Sequence, residues 1–149
     1  MKKLMLVLLI VSNYINAQNG NIKHYNLENK VAIQGYDPVA YFKNSKAVKG
    51  KKEISLKHQG AIYYFSSLEN KVAFEKNPAF YEPQYGGWCA YAMGDKGEKV
   101  EINPTTFKII DKKLYLFYNA YFVNTLKSWN KDEGNLKKKA DLNWIKITN

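Results

Sequence analysis

Apolar residues recur along this chain at several different spacings, and each spacing predicts a different kind of element. From Glu53 to His58 they alternate with polar ones, Gln59-Gly60 can turn, and Ala61 to Phe65 returns rich in aromatics. That pattern predicts a β-hairpin over residues 53–65. Ser66-Ser67-Leu68-Glu69 then places a hydroxyl three residues before a carboxylate, the signature of a helix start. Leu68, Val72, Ala73 and Phe74 supply an apolar face, and Pro78 ends the helix. Short apolar runs predict strands at Val39–Phe42, Trp88–Met93, Phe107–Ile110 and Leu114–Phe117, the last two joined by Asp111-Lys112-Lys113. Cys89 and Met93 would share one face if the second of these segments were helical. Asn119 is placed to cap a helix running through Trp129, and a lysine-rich helix is predicted from Asp132 into Asn143. Strands interrupted by one helix, with further helices gathered at the end, give an α+β fold: a small antiparallel sheet, one inserted helix and C-terminal helices.

The N-terminal segment follows another rule. Lys2 and Lys3, an apolar run from Leu4 to Val11, and Ile15-Asn16-Ala17 predict an export signal cleaved after Ala17. The apolar run is too short to span a bilayer, and no later stretch approaches that length. The expected organisation is a signal peptide at 1–17, a polar lead-in at 18–30 and one domain at 31–149. The mature chain is expected to be periplasmic or secreted, with no stable membrane insertion.

Composition narrows the partners. All 23 basic residues are lysine, against 13 acids, for a net charge of +10. Without arginine the chain lacks the planar fork that reads guanine edges and grips phosphate in pairs, so no nucleic-acid partner is expected. A solvated lysine coat explains the charge. The 12 Tyr, 7 Phe and 3 Trp raise the idea of a stacking platform, but in a domain of this size they are first expected in the core and on a sheet face. The one cysteine, Cys89, excludes an internal disulfide and a multi-cysteine zinc site.

Five ordered motifs carry a resemblance. They are Gly35-Tyr36-Asp37-Pro38-Val39-Ala40-Tyr41-Phe42, Gly60-x-x-Tyr63-Tyr64-Phe65-x-Ser67, Phe74-x-x-Asn77-Pro78-x-x-Tyr81, Tyr85-Gly86-Gly87-Trp88-Cys89-Ala90, and a C-terminal set of Leu114-Tyr115-Leu116, Trp129 and Ala140-Asp141-x-Asn143-Trp144. Together, over about residues 31–146, they resemble the YHS-domain family and its exported bacterial members. Some modules of that family bind heavy metals through two cysteines at a helix start. Here the resemblance puts Ser66 and Asn70 at those positions and Tyr64 at the family's histidine, and a hydroxyl and an amide are poor ligands for soft metals.

The remaining candidate chemistry is sparse. Cys89 and Met93, helped by His58 or His24, would suit Cu(I), because thiolate, thioether and imidazole are its preferred donors. A packed, inert Cys89 and a redox-active Cys89 are the competing readings. Asp37 can hold an Asx turn before Pro38 or serve as a pocket acid. If Tyr36 and Asp37 meet Tyr85 and Trp88 in space, they would form an aromatic pocket with one carboxylate. No Gly-x-Ser-x-Gly elbow, His-Glu-x-x-His pair or phosphate-cradling loop is present, so hydrolase and nucleotide-dependent activities lack their parts. The expected function is binding of a small ligand or soft metal without catalysis. The alternatives are an envelope interaction or structural protein with no ligand site, and a redox accessory using Cys89.

Overall fold

A computed structural model describes residues 22–149, so the predicted signal peptide lies outside the described residues. The architecture is α+β, as expected. Strands β1 (Leu27–Glu28), β2 (Val31–Ala32), β3 (Lys51–His58) and β4 (Ala61–Phe65) form a mixed sheet in the order β1-β2-β4-β3. The predicted hairpin is the β3–β4 pair, turning at Gln59-Gly60 with Gly60 at φ +93°. The expectation of a purely antiparallel sheet needs one correction: β2 runs parallel to β4, pairing Val31 with Ile62. Strands β5 (Asn103–Ile110) and β6 (Lys113–Phe117) form a separate antiparallel ribbon. A third, two-residue ribbon joins β7 (Asn119–Ala120) to β8 (Val123–Asn124).

Residues 22–30 are built into this domain and do not hang in front of it. A 3-10 turn at Ile22–His24 leads into β1, which pairs with β2 across Asn29-Lys30. The Asn26 amide donates to the Gly86 carbonyl at 2.8 Å, tying the lead-in to the middle of the chain.

Two of the short apolar runs are helical. Val39–Phe42 was expected as a strand, yet α1 occupies Ala40–Lys43. The cause is local: Asp37 Oδ1 accepts from the Val39 amide at 2.9 Å and the Ala40 amide at 3.3 Å, which turns the chain into a helical start. Trp88–Met93 was also expected as a strand and instead leads into α4 (Ala90–Asp95). Small residues favour the helix here. A Cβ placed on Gly94 would collide with the backbone of Leu136, so only glycine lets α4 lie this close to the C-terminal helix.

Helix α2 (Leu68–Lys76) starts one residue later than the capping pattern implied, with Ser67 accepting from the Asn70 amide at 3.1 Å. Its buried face also differs from the expected one. Leu68 and Val72 are 68% and 46% exposed, while Asn70 and Phe74 are buried. A polar tie from Asn70 to Asp37 sets the helix rotation, overriding the apolar stripe. After Asn77, α3 (Pro78–Tyr81) begins with proline at its first position, where a missing amide costs nothing. The cap of α5 (Thr125–Trp129) is Asn124, whose side chain accepts from Leu126 at 3.1 Å. The predicted cap, Asn119, instead donates to Thr106 Oγ1 from the β7 ribbon. The last helix, α6, runs over Glu133–Thr148.

The core has two parts. One lies beneath the mixed sheet, where the Phe74 ring packs against Tyr63 at 4.6 Å and Phe65 at 5.4 Å between centroids. The other gathers Met93, Tyr115, Phe117, Trp129 and Ala140 under α4 and α6. Phe65, Phe74 and Trp129 are fully buried, whereas Trp88 and Trp144 are half-buried. Among the described residues no helix is long and apolar enough to cross a membrane.

Candidate functional site

Asp37 is fully buried, and its surroundings explain why. Besides the two amides on Oδ1, its Oδ2 accepts from the Ser66 amide at 2.7 Å, the Ser66 hydroxyl at 2.6 Å and the Asn70 side-chain amide at 2.7 Å. Five donors therefore surround one carboxylate, and their hydrogen bonds offset its desolvation. Ser66 and Asn70 are the two residues that stand at the metal-binding family members' cysteine positions under the resemblance. In this chain they fix the start of α2 against the loop before α1. Asp37 is thus a structural hub with no open side toward a ligand.

The pocket expected from Tyr36, Asp37, Tyr85 and Trp88 does not assemble. Tyr36 bridges to Lys49 at the edge of the sheet, with Lys49 Nζ 6.0 Å from its ring centre. Trp88 donates its indole N–H to the His24 carbonyl at 2.6 Å and lies under Lys99. Tyr85 turns the other way, toward α6. The candidate metal ligands also stay apart. Cys89 stands at the N-cap position of α4, outside the helix, and its thiol packs in the sheet-side core. There Sγ accepts from the Tyr118 amide at 3.3 Å and lies 3.4 Å from Thr125 Oγ1, which itself donates to the Tyr118 carbonyl. Met93 is buried in the other core cluster. His58 sits at the end of β3 with Nε2 4.0 Å from Glu82 Oε1 and its ring against Phe74. Among the described residues no three His, Cys, Asp or Glu side chains gather to hold a metal.

A concave site does assemble at Tyr85, one of several hollows among the described residues. A cleft of about 400 Å³ runs between the segment from Ala79 to Gly86 and the outer side of α6. Helix α6 contributes Asp141, Trp144 and Ile145, which its i, i+3, i+4 spacing brings to one face. The opposite wall is shaped by an unusual turn. Tyr85 and Gly86 both adopt positive φ, at 55° and 60°, within the tight turn Gln84–Gly87. A Cβ on Gly86 would stand 2.9 Å from the Trp144 ring and 3.0 Å from Tyr25, so glycine is what lets these two rings close on the turn.

The polar groups of the cleft are held in place. Tyr85 donates to Asp141 Oδ1 at 2.9 Å, joining the two walls, and Lys137 donates to Asp141 Oδ2 at 3.0 Å from the preceding turn of α6. Tyr63, from β4, donates to Glu82 Oε1 at 3.0 Å. Oε2 of Glu82 has no partner among the described residues. Burial, reinforced by the neighbouring carboxylates, raises the pKa of Tyr63, Tyr85 and Tyr25 above the ordinary phenol value, so these hydroxyls remain protonated. Burial, followed by the negative charge of Tyr36 and Asp37 acting at a distance, does the same to Tyr41 in the sheet-side core.

Of these residues, Asp141 and Trp144 were visible in sequence only as parts of the C-terminal motif. Glu82 and Tyr25 gave no signal, because their roles depend on the Gln84–Gly87 turn and on the lead-in folding back over it. Comparison with protein-family models, curated proteins and solved structures finds no match to this chain.

Proposed function

We propose that this chain is an exported YHS-type domain that binds a small organic ligand in the cleft between the Ala79–Gly86 segment and α6, without catalysing a reaction on it. The cleft carries this reading. It is concave, of ligand-binding size, walled by Tyr25, Tyr85 and Trp144, and fitted with two carboxylates fixed in advance by hydroxyl donors. Pre-fixed polar groups among aromatic walls favour binding because little side-chain ordering is left to be lost when a ligand enters. The five-motif order supports kinship with the YHS family, and the charged, apolar and small-residue pattern of residues 1–17 supports export. The soft-metal version of the expectation is not carried forward, because Cys89, Met93 and His58 face three different environments.

A fragment screen by NMR on the mature chain tests the reading, using compounds of all charge types and the Trp144 indole N–H as reporter. Hits that move this resonance together with the amides of Gln84 and Gly86 are expected. If no compound perturbs the cleft, the domain is left as an interaction or structural protein with no ligand site.

A further inference from the structure

We infer that the ligand of this cleft carries an organic ammonium group. The inference rests on the binding reading above and adds to it the chemical class. Its basis is a charge inversion. The chain has 23 basic residues to 13 acidic ones, yet the residues lining the cleft include Glu82 and Asp141 and not one lysine. In a molecule this basic, a concavity lined by carboxylates and no lysine favours cations over phosphates and carboxylates, even with Lys137 paired to Asp141 from outside the lining and His58 Nε2 4.0 Å from Glu82 Oε1.

The aromatic walls point the same way. Tyr25, Tyr85 and Trp144 line the space, and the rings of Tyr85 and Trp144 stand 6.5 Å apart at 69°. That pair packs edge to face, and Tyr85 is buried, so the half-buried Trp144 is the more open of the two rings; an aromatic face attracts an alkylammonium through its quadrupole, and desolvation in a cleft strengthens that attraction. Glu82 provides the anchoring charge. Its Oε1 accepts from Tyr63 and stands 4.0 Å from His58 Nε2, its Oε2 has no hydrogen-bond partner among the described residues, and the carboxylate is mostly shielded from solvent. Asp141 has both oxygens engaged, by Tyr85 and by Lys137, so its charge is partly neutralised. Glu82 is therefore the principal recognition group, with Asp141 as support.

The test is a calorimetric and NMR titration of the mature chain with choline and with butylammonium, each paired with its neutral isostere, 3,3-dimethylbutan-1-ol and butan-1-ol. Both cations are expected to move the Trp144 indole signal and at least one to bind on the order of tenfold more tightly than its isostere. The affinity should fall with added salt. Glu82→Gln keeps an acceptor for Tyr63 and removes the charge, so it should weaken cation binding by about tenfold while leaving the isosteres unaffected. Asp141→Asn provides a second, milder loss should Glu82→Gln fold poorly. Neutral isosteres binding as well as the cations, or both variants binding cations like wild type, would overturn the ammonium class and leave the cleft as a ligand site. Neutral or anionic fragments entering the cleft while both cations fail would have the same meaning. Failure of every compound would remove the site itself.

Discussion

Asp37→Asn preserves the shape of the side chain and turns one acceptor oxygen into a donor. In this site the exchange cannot be absorbed. If the new amide replaces Oδ1, it faces the Val39 and Ala40 amides, two backbone donors that cannot turn away. If it replaces Oδ2, it faces the Ser66 amide, while the Ser66 hydroxyl must rotate and the Asn70 amide must flip to accept. The second arrangement is the less costly. It leaves one buried backbone donor unsatisfied, about 1–3 kcal/mol, and replaces the charge-assisted bonds by neutral ones of roughly half the strength. The total is about 3–5 kcal/mol, a large share of the ~5–15 kcal/mol that holds a domain of this size together. Urea or guanidinium unfolding followed by circular dichroism measures it directly. The exchange Asp37→Asn with Asn70→Asp moves the carboxylate to the other side of the same contact, and should recover about 1 kcal/mol or more of the loss. A single-mutant loss below about 1 kcal/mol would show that Asp37 is not the hub of this fold.

Three further outcomes are expected. Tyr41, Tyr63 and Tyr85 have pKa values raised by burial, so above about pH 10 the unfolded chain gives up protons that the native chain keeps, and stability should fall as pH rises from there, these tyrosines contributing no pH dependence well below it; phenolate absorbance showing every tyrosine ionised near pH 10 in a chain still folded by circular dichroism would contradict this. At the β7–β8 turn, Tyr121 and Phe122 sit at φ 49° and 67° with 88% and 112% exposure, where asparagine and glycine are favoured. Replacing both by Asn-Gly should therefore stabilise the chain by about 1–2 kcal/mol, and a lowered denaturation midpoint would refute the strain argument. Native Cys89, buried and engaged by Tyr118 and Thr125, should react with a thiol reagent at least ~100-fold more slowly than in denaturant, and equal rates would restore the redox reading.

How far the sequence reaches is clear from particular elements. The β3–β4 and β5–β6 hairpins were legible because alternation and turn residues are local signals. The segments at residues 39–42 and 88–93 were not, because short apolar runs fit either period and the decisive contacts lie outside the runs themselves. For α1 that contact is the Asp37 carboxylate; for α4 it is the Leu136 backbone lying over Gly94. The rotation of α2 was misjudged for a related reason. Its buried side is chosen by the Asn70–Asp37 bond, and Leu68 and Val72 are left in solvent, so apolar spacing pointed to the wrong face. Asp37 itself was singled out by its Gly-Tyr-Asp-Pro setting, and its role is an extension of the turn function that this setting suggests. The cleft was largely hidden, since its walls come from residues 25, 79–86 and 141–145, and only folding brings them together.

The most direct test of the ligand-site reading is a crystal structure of the mature chain grown with the tightest-binding ammonium compound from the titrations. The expected result is the compound between the Trp144 indole and the Glu82 carboxylate, with its charged group toward Oε2 and the Tyr63 and Tyr85 bonds intact. A compound seated elsewhere on the molecule, with the Glu82 and Trp144 cleft holding only solvent, would contradict it.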